Sequence, residues 1–535
     1  MTTHALASCF PCRHSKRRCD KSLPTCQLCI RKGLKCSYPR RRGQRSASPA
    51  RNIHGSDYAI DPNSPYGRPV VASSGTGSHH QSESVWPSSS PFAVTTAISF
   101  LAPNIFREAR LEIPRLDVTI PDEVAFHIGN NQQVRQTAGK FFQTAWLPIV
   151  SRKRYLAAIL NPLSPSRRPT ALLALCMKLC CLPVHDDEVP GRSSLYQLVK
   201  KFYSEVESTQ NLCVEVLQAA ILIAIFEIGD AIYPAAYLTV GTCARYGIAM
   251  GLGKINKDRV GGQHNLIGSW MEIEERRRAW WAILTLDRFL NFANPSRVLA
   301  TEDPTFQDFL PVDDDQFYDA TSQPDEAAPI CQGLVFKVGH FGRLAQAIYL
   351  ISQALAMIRS SSVVSINRDE SILSPETAQL CRTLGALVRA SELEATVRML
   401  AFCCQSLVSY SGIFLIQENY WAQLQVRSEE ELLQHTFVET HNAIDTICQI
   451  ASTLQQGSNM VDLQHGQCTF FLVGVVYQAV SALMTLGKGT PSAEIKERIT
   501  LLRWLLQHIR SRWPLSGVYE NILDAKEALL AADAI

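Results

Sequence analysis

Six cysteines crowd one end of the chain: Cys9, Cys12, Cys19, Cys26, Cys29 and Cys36. Their spacing, C-x2-C-x6-C-x6-C-x2-C-x6-C, makes the second half a copy of the first. Thiolates spaced this way either cross-link the chain or surround metal. Residues 1–8, MTTHALAS, carry neither the basic nor the apolar region of a secretory leader, and the eleven other cysteines never recur as C-x2-C. A reducing compartment is therefore expected, where C-x2-C pairs hold metal more often than they form disulfides. A segment this short cannot build a sufficient core, and below roughly 40 residues metal or cross-links supply the missing stability.

Six sulfurs do not divide evenly between two tetrahedral ions, which need eight ligand positions. Either two sulfurs bridge two Zn²⁺ or other ligands are recruited, and the repeat points to the leading cysteine of each half, Cys9 and Cys26, as the bridging pair. Each half closes a loop and a short helix around one ion. His14 lies in the basic run and is expected to face solvent, because sulfur already fills the set.

The residues between the cysteines are cationic: Arg13, Lys16, Arg17, Arg18, Lys21, Arg31, Lys32 and Lys35. Residues 1–45 hold twelve lysines and arginines against the single acid Asp20, a surplus of +11; the whole chain is +3, so residues 46–535 carry −8. Six thiolates and two Zn²⁺ lower the surplus by two, leaving the finger near +9. Such asymmetry between segments points to nucleic acid, held with a steep salt dependence.

The stretch CFPCRHSKRRCDKSLPTCQLCIRKGLKC, residues 9–36, resembles the fungal binuclear zinc-cluster transcription factors throughout, including Pro24 two residues before Cys26. That resemblance implies a double-stranded DNA-binding domain in which two short helices flank two zincs. It implies that the helix after Cys12 enters the major groove, usually over a CGG triplet, with Lys16 at the position that meets guanine. Guanine offers two acceptors there, N7 and O6, which Lys and Arg read best. Arg13, Arg17 and Arg18 lie close enough to contact phosphates, which fixes register without reading sequence. Beyond Cys36, Arg40, Arg41, Arg42 and Arg45 form a basic tail that can track the DNA backbone and reads as a nuclear-localisation patch.

The elements around this motif divide the chain into a zinc-cluster domain at 1–45, a linker at 46–100 and a helical domain at 101–535. The linker is dominated by Ser, Pro, Gly and Asn, with no apolar period, and is expected to be flexible and disordered. No stretch between 40 and 110 sustains three heptads, so a coiled-coil dimer is not expected. Binding as a monomer, or as a homodimer through the larger domain, stays open.

From about 100 onward, Leu, Ala, Ile and Val recur at helical spacing, as in Leu212, Val216, Ala219, Ile223 and Phe226. Alternating strand patterns are scarce and prolines fall between the periodic segments. The fold class is mainly α: a small finger, then one large all-α domain. The most apolar stretches, 213–228 and 469–486, are interrupted by polar residues and fall short of about 20 apolar residues, so buried helices are expected and no membrane span.

Within this domain, Gly241–Gly253, Glu272–Trp281, Leu286-Asp287-Arg288 and Leu310-Pro311-Val312-Asp313-Asp314 look like the fungal-specific regulatory domain found behind these clusters, most clearly over 195–320. The family's glycine-arginine-proline region reads Asn294-Pro295-Ser296-Arg297 here. The resemblance implies a regulatory role, contact with transcription machinery or co-regulators, and effector sensing without naming an effector. It also implies activation, and control of metabolic, including secondary-metabolite, gene sets. On residues 270–290, Glu274/Arg278 and Glu272/Arg276 are spaced four apart and read as surface ion pairs.

Enzyme chemistry finds little support. Gly251-Leu-Gly253-Lys254 lacks P-loop spacing, Ser411-Gly412 lacks the preceding glycine of a nucleophile elbow, and no acid–base or nucleophile set stands out. The sequence therefore reads as a nuclear, zinc-dependent transcriptional regulator and not an enzyme. The alternatives are a nucleic-acid-binding protein without transcriptional specificity and a zinc enzyme.

Overall fold

The computed structural model describes residues 5, 8–14, 17–32 and 36–38, then 91–532 apart from 115–117, 162–166, 185–191, 210–211, 256–268, 320–326, 336–337, 365–374, 399–403, 428–429, 457–468 and 488–491. Two compact units are separable, Met1–Ser84 and Val85–Ile535. In the first, helices α1 (Phe10–His14) and α2 (Gln27–Arg31) each begin within one residue of the first cysteine of a half-motif. Among its described residues the buried ones are all sulfur-bearing: Cys9, Cys12, Cys26 and Cys29.

The second unit is helical, with no strand among its described residues beyond an isolated bridge between Phe309 and Pro329. The segment expected to be linker up to residue 100 needs correcting, because Pro91–Leu101 forms helix α3. Proline suits the first helical position, and the ten residues after it contain no glycine, proline or charge to interrupt a helix. Residues 46–90 of that expected linker lie outside the described residues.

Local sequence sets several helix ends. Asn130 and Gln133 form a capping box on α6 (Asn131–Thr144). Ser151 and Ser269 cap α7 (Arg152–Ile159) and α13 (Trp270–Leu290). Gly129 closes α5 (Asp122–Ile128) at φ +78, a conformation that a side chain disfavours.

Helix α10 (Val214–Gly229) is buried on every side, packed against α8 (Arg168–Cys180), α9 (Arg192–Thr209), α11 (Ala235–Ala249) and α13. This explains why its apolar residues spread around every face, since a helix surrounded by protein needs no polar face. Phe470–Leu486, the other very apolar stretch, is likewise mostly buried. The window His340–Ser360 is long and apolar enough to cross a membrane by composition, and 72% of it is buried inside the helical unit. Gly247 lets α11 approach α13 closely: a Cβ there would meet the Trp280 ring at 3.1 Å.

The charged face of α13 departs from the sequence reading. Glu272 and Arg276 do pair at 2.7 Å near the surface. Glu274 and Arg278, expected at the surface too, are both fully buried. Arg278 Nε donates to Glu274 at 2.9 Å, Nη1 to Asp314 at 2.8 Å and to the Pro148 carbonyl at 3.1 Å, and Nη2 to the Val312 carbonyl at 2.7 Å. Phe317 lies with its ring 4.0 Å from the guanidinium carbon. Arg277 donates to Glu274 at 2.6 Å. Farther along, Arg288 reaches Asp287, Asp303 and Ser352 at 2.9 to 3.1 Å. Arg278 and Arg288 meet carboxylates and carbonyls that return what desolvation removes, whereas Arg277 has Glu274 and the rings of Trp270 and Phe309, with its Nε and Nη2 buried unpaired.

Candidate metal centre and nucleic-acid interface

The six cysteines converge. Cys9, Cys12, Cys19 and Cys26 form one group whose sulfurs all lie within 4.8 Å of one another, and Cys9, Cys26, Cys29 and Cys36 form another. The two groups share Cys9 and Cys26. A tetrahedral site with Zn–S bonds of about 2.3 Å requires sulfurs about 3.8 Å apart. Cys9–Cys26 and Cys9–Cys29 are 3.7 Å apart, Cys12–Cys26 3.6 Å and Cys9–Cys19 3.8 Å. The donor set thus fits two ions by number, softness and size.

Cys26 is also the N-cap of α2, its sulfur accepting the Cys29 N–H at 3.4 Å. Burial opposes its ionisation, but hydrogen bonds from Cys29, Cys12 and Cys9 outweigh burial and bring the thiol down to about 6.

Residues with no cysteine chemistry hold the loops. Asp20 accepts the Gln27 N–H at 3.1 Å and the Ser22 hydroxyl, joining the first half to the start of α2. The Ser22 hydroxyl is the largest influence lowering the Asp20 carboxyl. Tyr38 donates its hydroxyl to the Ser22 carbonyl at 2.7 Å, and the Phe10 N–H donates to the Ser37 carbonyl at 2.8 Å. In the sequence Asp20 reads only as a lone acid. Linear spacing carries no mark of such loop-to-loop contacts; a single acid inside a cationic run was the one available signal.

Arg17 and Arg18 follow α1 and are exposed, as are Lys21, Arg31 and Lys32. Arg13 and His14 belong to the backbone of α1, while their side chains, together with Lys16, lie outside the described residues. Arg40, Arg41, Arg42 and Arg45 lie outside them as well. With Asp20 engaged internally, the described finger presents cations to solvent, as a phosphate-facing surface requires.

A binuclear sulfur cage with a cationic exterior, in a chain that continues into a large helical domain, defines a zinc-dependent DNA-binding regulator. Comparison with known proteins places it more narrowly. The model of the fungal Zn(2)-Cys(6) binuclear cluster domain matches residues 7–45, and that of the fungal specific transcription factor domain matches residues 139–384. The transcription factor BOA15 of Botryotinia fuckeliana is 40% identical over 147 residues, which cover 27% of this chain and 80% of that protein. Transcription factor tazR of Aspergillus terreus is 29% identical over 30% of this chain and 25% of its own. The tropolone cluster transcription factor tropK of Talaromyces stipitatus is 23% identical over 53% of this chain and 54% of its own. The chain belongs to the fungal Zn(2)-Cys(6) transcription factors and is a DNA-binding transcription factor with a binuclear zinc cluster. The match at 139–384 extends well beyond 195–320, where the family's motifs are densest.

Proposed function

We propose that this protein is a nuclear, sequence-specific and non-enzymatic regulator of RNA polymerase II transcription, acting on CGG-like triplets through the major groove. Cys9 and Cys26 bridge the two ions, Cys12 and Cys19 complete one site, and Cys29 and Cys36 complete the other. The observation that carries this is the pair of overlapping four-sulfur sets sharing Cys9 and Cys26, with exposed Arg17 and Arg18 directly after α1. When bound, the ions supply the folding energy of the finger.

The chain's own residues do the rest. α1 is the reading helix, Lys16 presents its ammonium to guanine N7 and O6, and Arg13, Arg17 and Arg18 hold phosphates on either side. Arg40, Arg41, Arg42 and Arg45 follow the backbone and direct nuclear import. The helical domain controls output through co-regulators or the transcription machinery, as an activator of a metabolic gene set. A relative named for a tropolone cluster supports secondary metabolism as the setting.

The test is fluorescence anisotropy of the full chain on a CGG-containing duplex, a scrambled duplex and the corresponding single strand. The CGG duplex is expected to bind at least tenfold tighter, and Lys16→Ala to remove about 1–3 kcal/mol of guanine discrimination. Equal affinity for all three nucleic acids, or guanine preference undiminished in Lys16→Ala, would overturn the reading.

A further inference from the structure

Helix Leu515–Ala532 keeps its charged residues off its outer face and leaves apolar residues there. One side packs on helices Phe470–Leu486 and Ala493–Ile509 through Leu515, Ser516 and Leu523, with the Tyr519 ring stacked on Tyr477 at 4.5 Å. Asp524 and Glu527 both hold Arg503, at 2.5 and 2.9 Å, Lys526 donates to the Ser481 hydroxyl, and Glu520 is half-buried. At about 100° per residue, none of these four falls on the outward side.

That side carries Val518, Ile522, Ala525, Ala528, Leu529 and Ala532, all exposed, which share one face at helical spacing, with Asn521 at its edge. Val518, Ile522 and Leu529 are 43%, 42% and 69% exposed. Single exposed apolar residues are ordinary, but an aligned and uncharged set marks a surface that meets another molecule.

The stripe complements itself. Because it has no charge, a copy laid against it brings no like charges together. Its bulky Val518 and Ile522 lie on one side of Ala525, and the small Ala528 and Ala532 lie at matching distances on the other. With two helices antiparallel about a two-fold axis at Ala525, Val518 meets Ala532 of the second copy and Ile522 meets its Ala528. Leu529 enters beside Asn521 and Ile522. Large residues thus face small ones, the arrangement that lets two layers interdigitate.

We propose that this face is a homodimer surface, on which two copies of the chain pair their 515–532 helices antiparallel. Its seven residues a side compare with about 20–30 in a stable interface, so the contact is weak and reversible. Interfaces of standard size dissociate at micromolar to picomolar concentrations, so one this small should dissociate at roughly 10–100 µM. No residue of the finger takes part, so the test is independent of the DNA-binding reading.

Sedimentation velocity of the full zinc-loaded chain, without DNA, at about 1–200 µM covers that range. The mass is expected to rise from one chain towards two. Leu529→Glu, at the most exposed position, should keep the helix content and thermal transition while weakening association at least about tenfold. Under mild oxidation Ala525→Cys should give a dimer linked through that position, read by peptide mass spectrometry. Val518→Cys should not, because antiparallel pairing holds the two 518 positions about 20 Å apart. A single chain at every concentration would assign the face to a different partner and overturn the proposal. So would undiminished association of Leu529→Glu, or Val518→Cys cross-linking as readily as Ala525→Cys.

Discussion

The finger and the helical unit treat positive charge in opposite ways. In the finger Arg17, Arg18 and Arg31 stand in solvent around a core made of sulfur. In α13 the guanidinium groups of Arg277, Arg278 and Arg288 are fully buried. The side chain is the same, so the difference lies in what surrounds it. Residues 1–45 contain one acid, and Asp20 is occupied by Ser22 and Gln27. Around α13, Glu274, Asp287, Asp303 and Asp314 each accept from an arginine. Cations without acids wait for an outside polyanion, whereas cations matched to acids become architecture.

The sharpest way to break this comparison is to remove metal. Chelation should unfold the finger completely, since zinc in small cysteine domains contributes roughly 10–16 kcal/mol of folding energy. The thermal transition of the helical unit should not move. Limited proteolysis, read by mass spectrometry, separates the two responses; protection of residues 9–38 after full chelation would refute the sulfur core.

Next in size are the shared sulfurs. If Cys9 and Cys26 bridge, Cys9→Ser and Cys26→Ser each remove a ligand from both ions and should leave fewer than one zinc per chain, whereas Cys12→Ser should retain more. Native mass spectrometry counts the ions directly, and equal retention in all three variants would argue against bridging.

Inside α13, Arg278→Ala should cost about 3–5 kcal/mol, because Glu274 and Asp314 would stay buried without their cation. Denaturant unfolding measures this. A loss below about 1 kcal/mol would place the residue with ordinary surface pairs.

The smallest effect concerns pH. Burial raises Glu275 to about 7, against the opposing influence of Arg154, Ser151 and Gln218, with Glu215 adding to the rise. An acid that holds its proton more tightly when folded favours the folded state at low pH, and that contribution disappears as pH climbs from 4.5 through about 7. Glu275→Gln cannot titrate, so its stability relative to the parent should improve between pH 5 and pH 8 by about 1–3 kcal/mol. Parallel stability curves would show that Glu275 is not the titrating group.

The cluster was the most legible part of the molecule. Its chemistry depends on residue type and spacing, which sequence states outright; counting ligand positions calls for two shared sulfurs, and the repeat points to Cys9 and Cys26, the two common to both sulfur groups. The helical character of the larger unit was legible through periodicity. Two things were not. Periodicity tells which residues share a helix face but not whether another element covers that face, so Glu274 and Arg278 read as a surface pair until the 310–314 segment closed over them. Composition also blurred the linker's end: the Ser/Pro run stops at Pro91, and the apolar residues that follow belong to α3.

Arg278 reaches back to Pro148 and forward to Val312 and Asp314. This has a practical consequence for dissecting the protein by deletion. A fragment stopping near residue 300 keeps the guanidinium and discards two of its acceptors; one starting beyond 148 discards a third. Either should misfold, and its silence in a reporter assay would say nothing about where control of transcription resides. Boundaries placed ahead of α5 keep the whole clasp in one piece, so a change in output from such a fragment can be ascribed to the part removed.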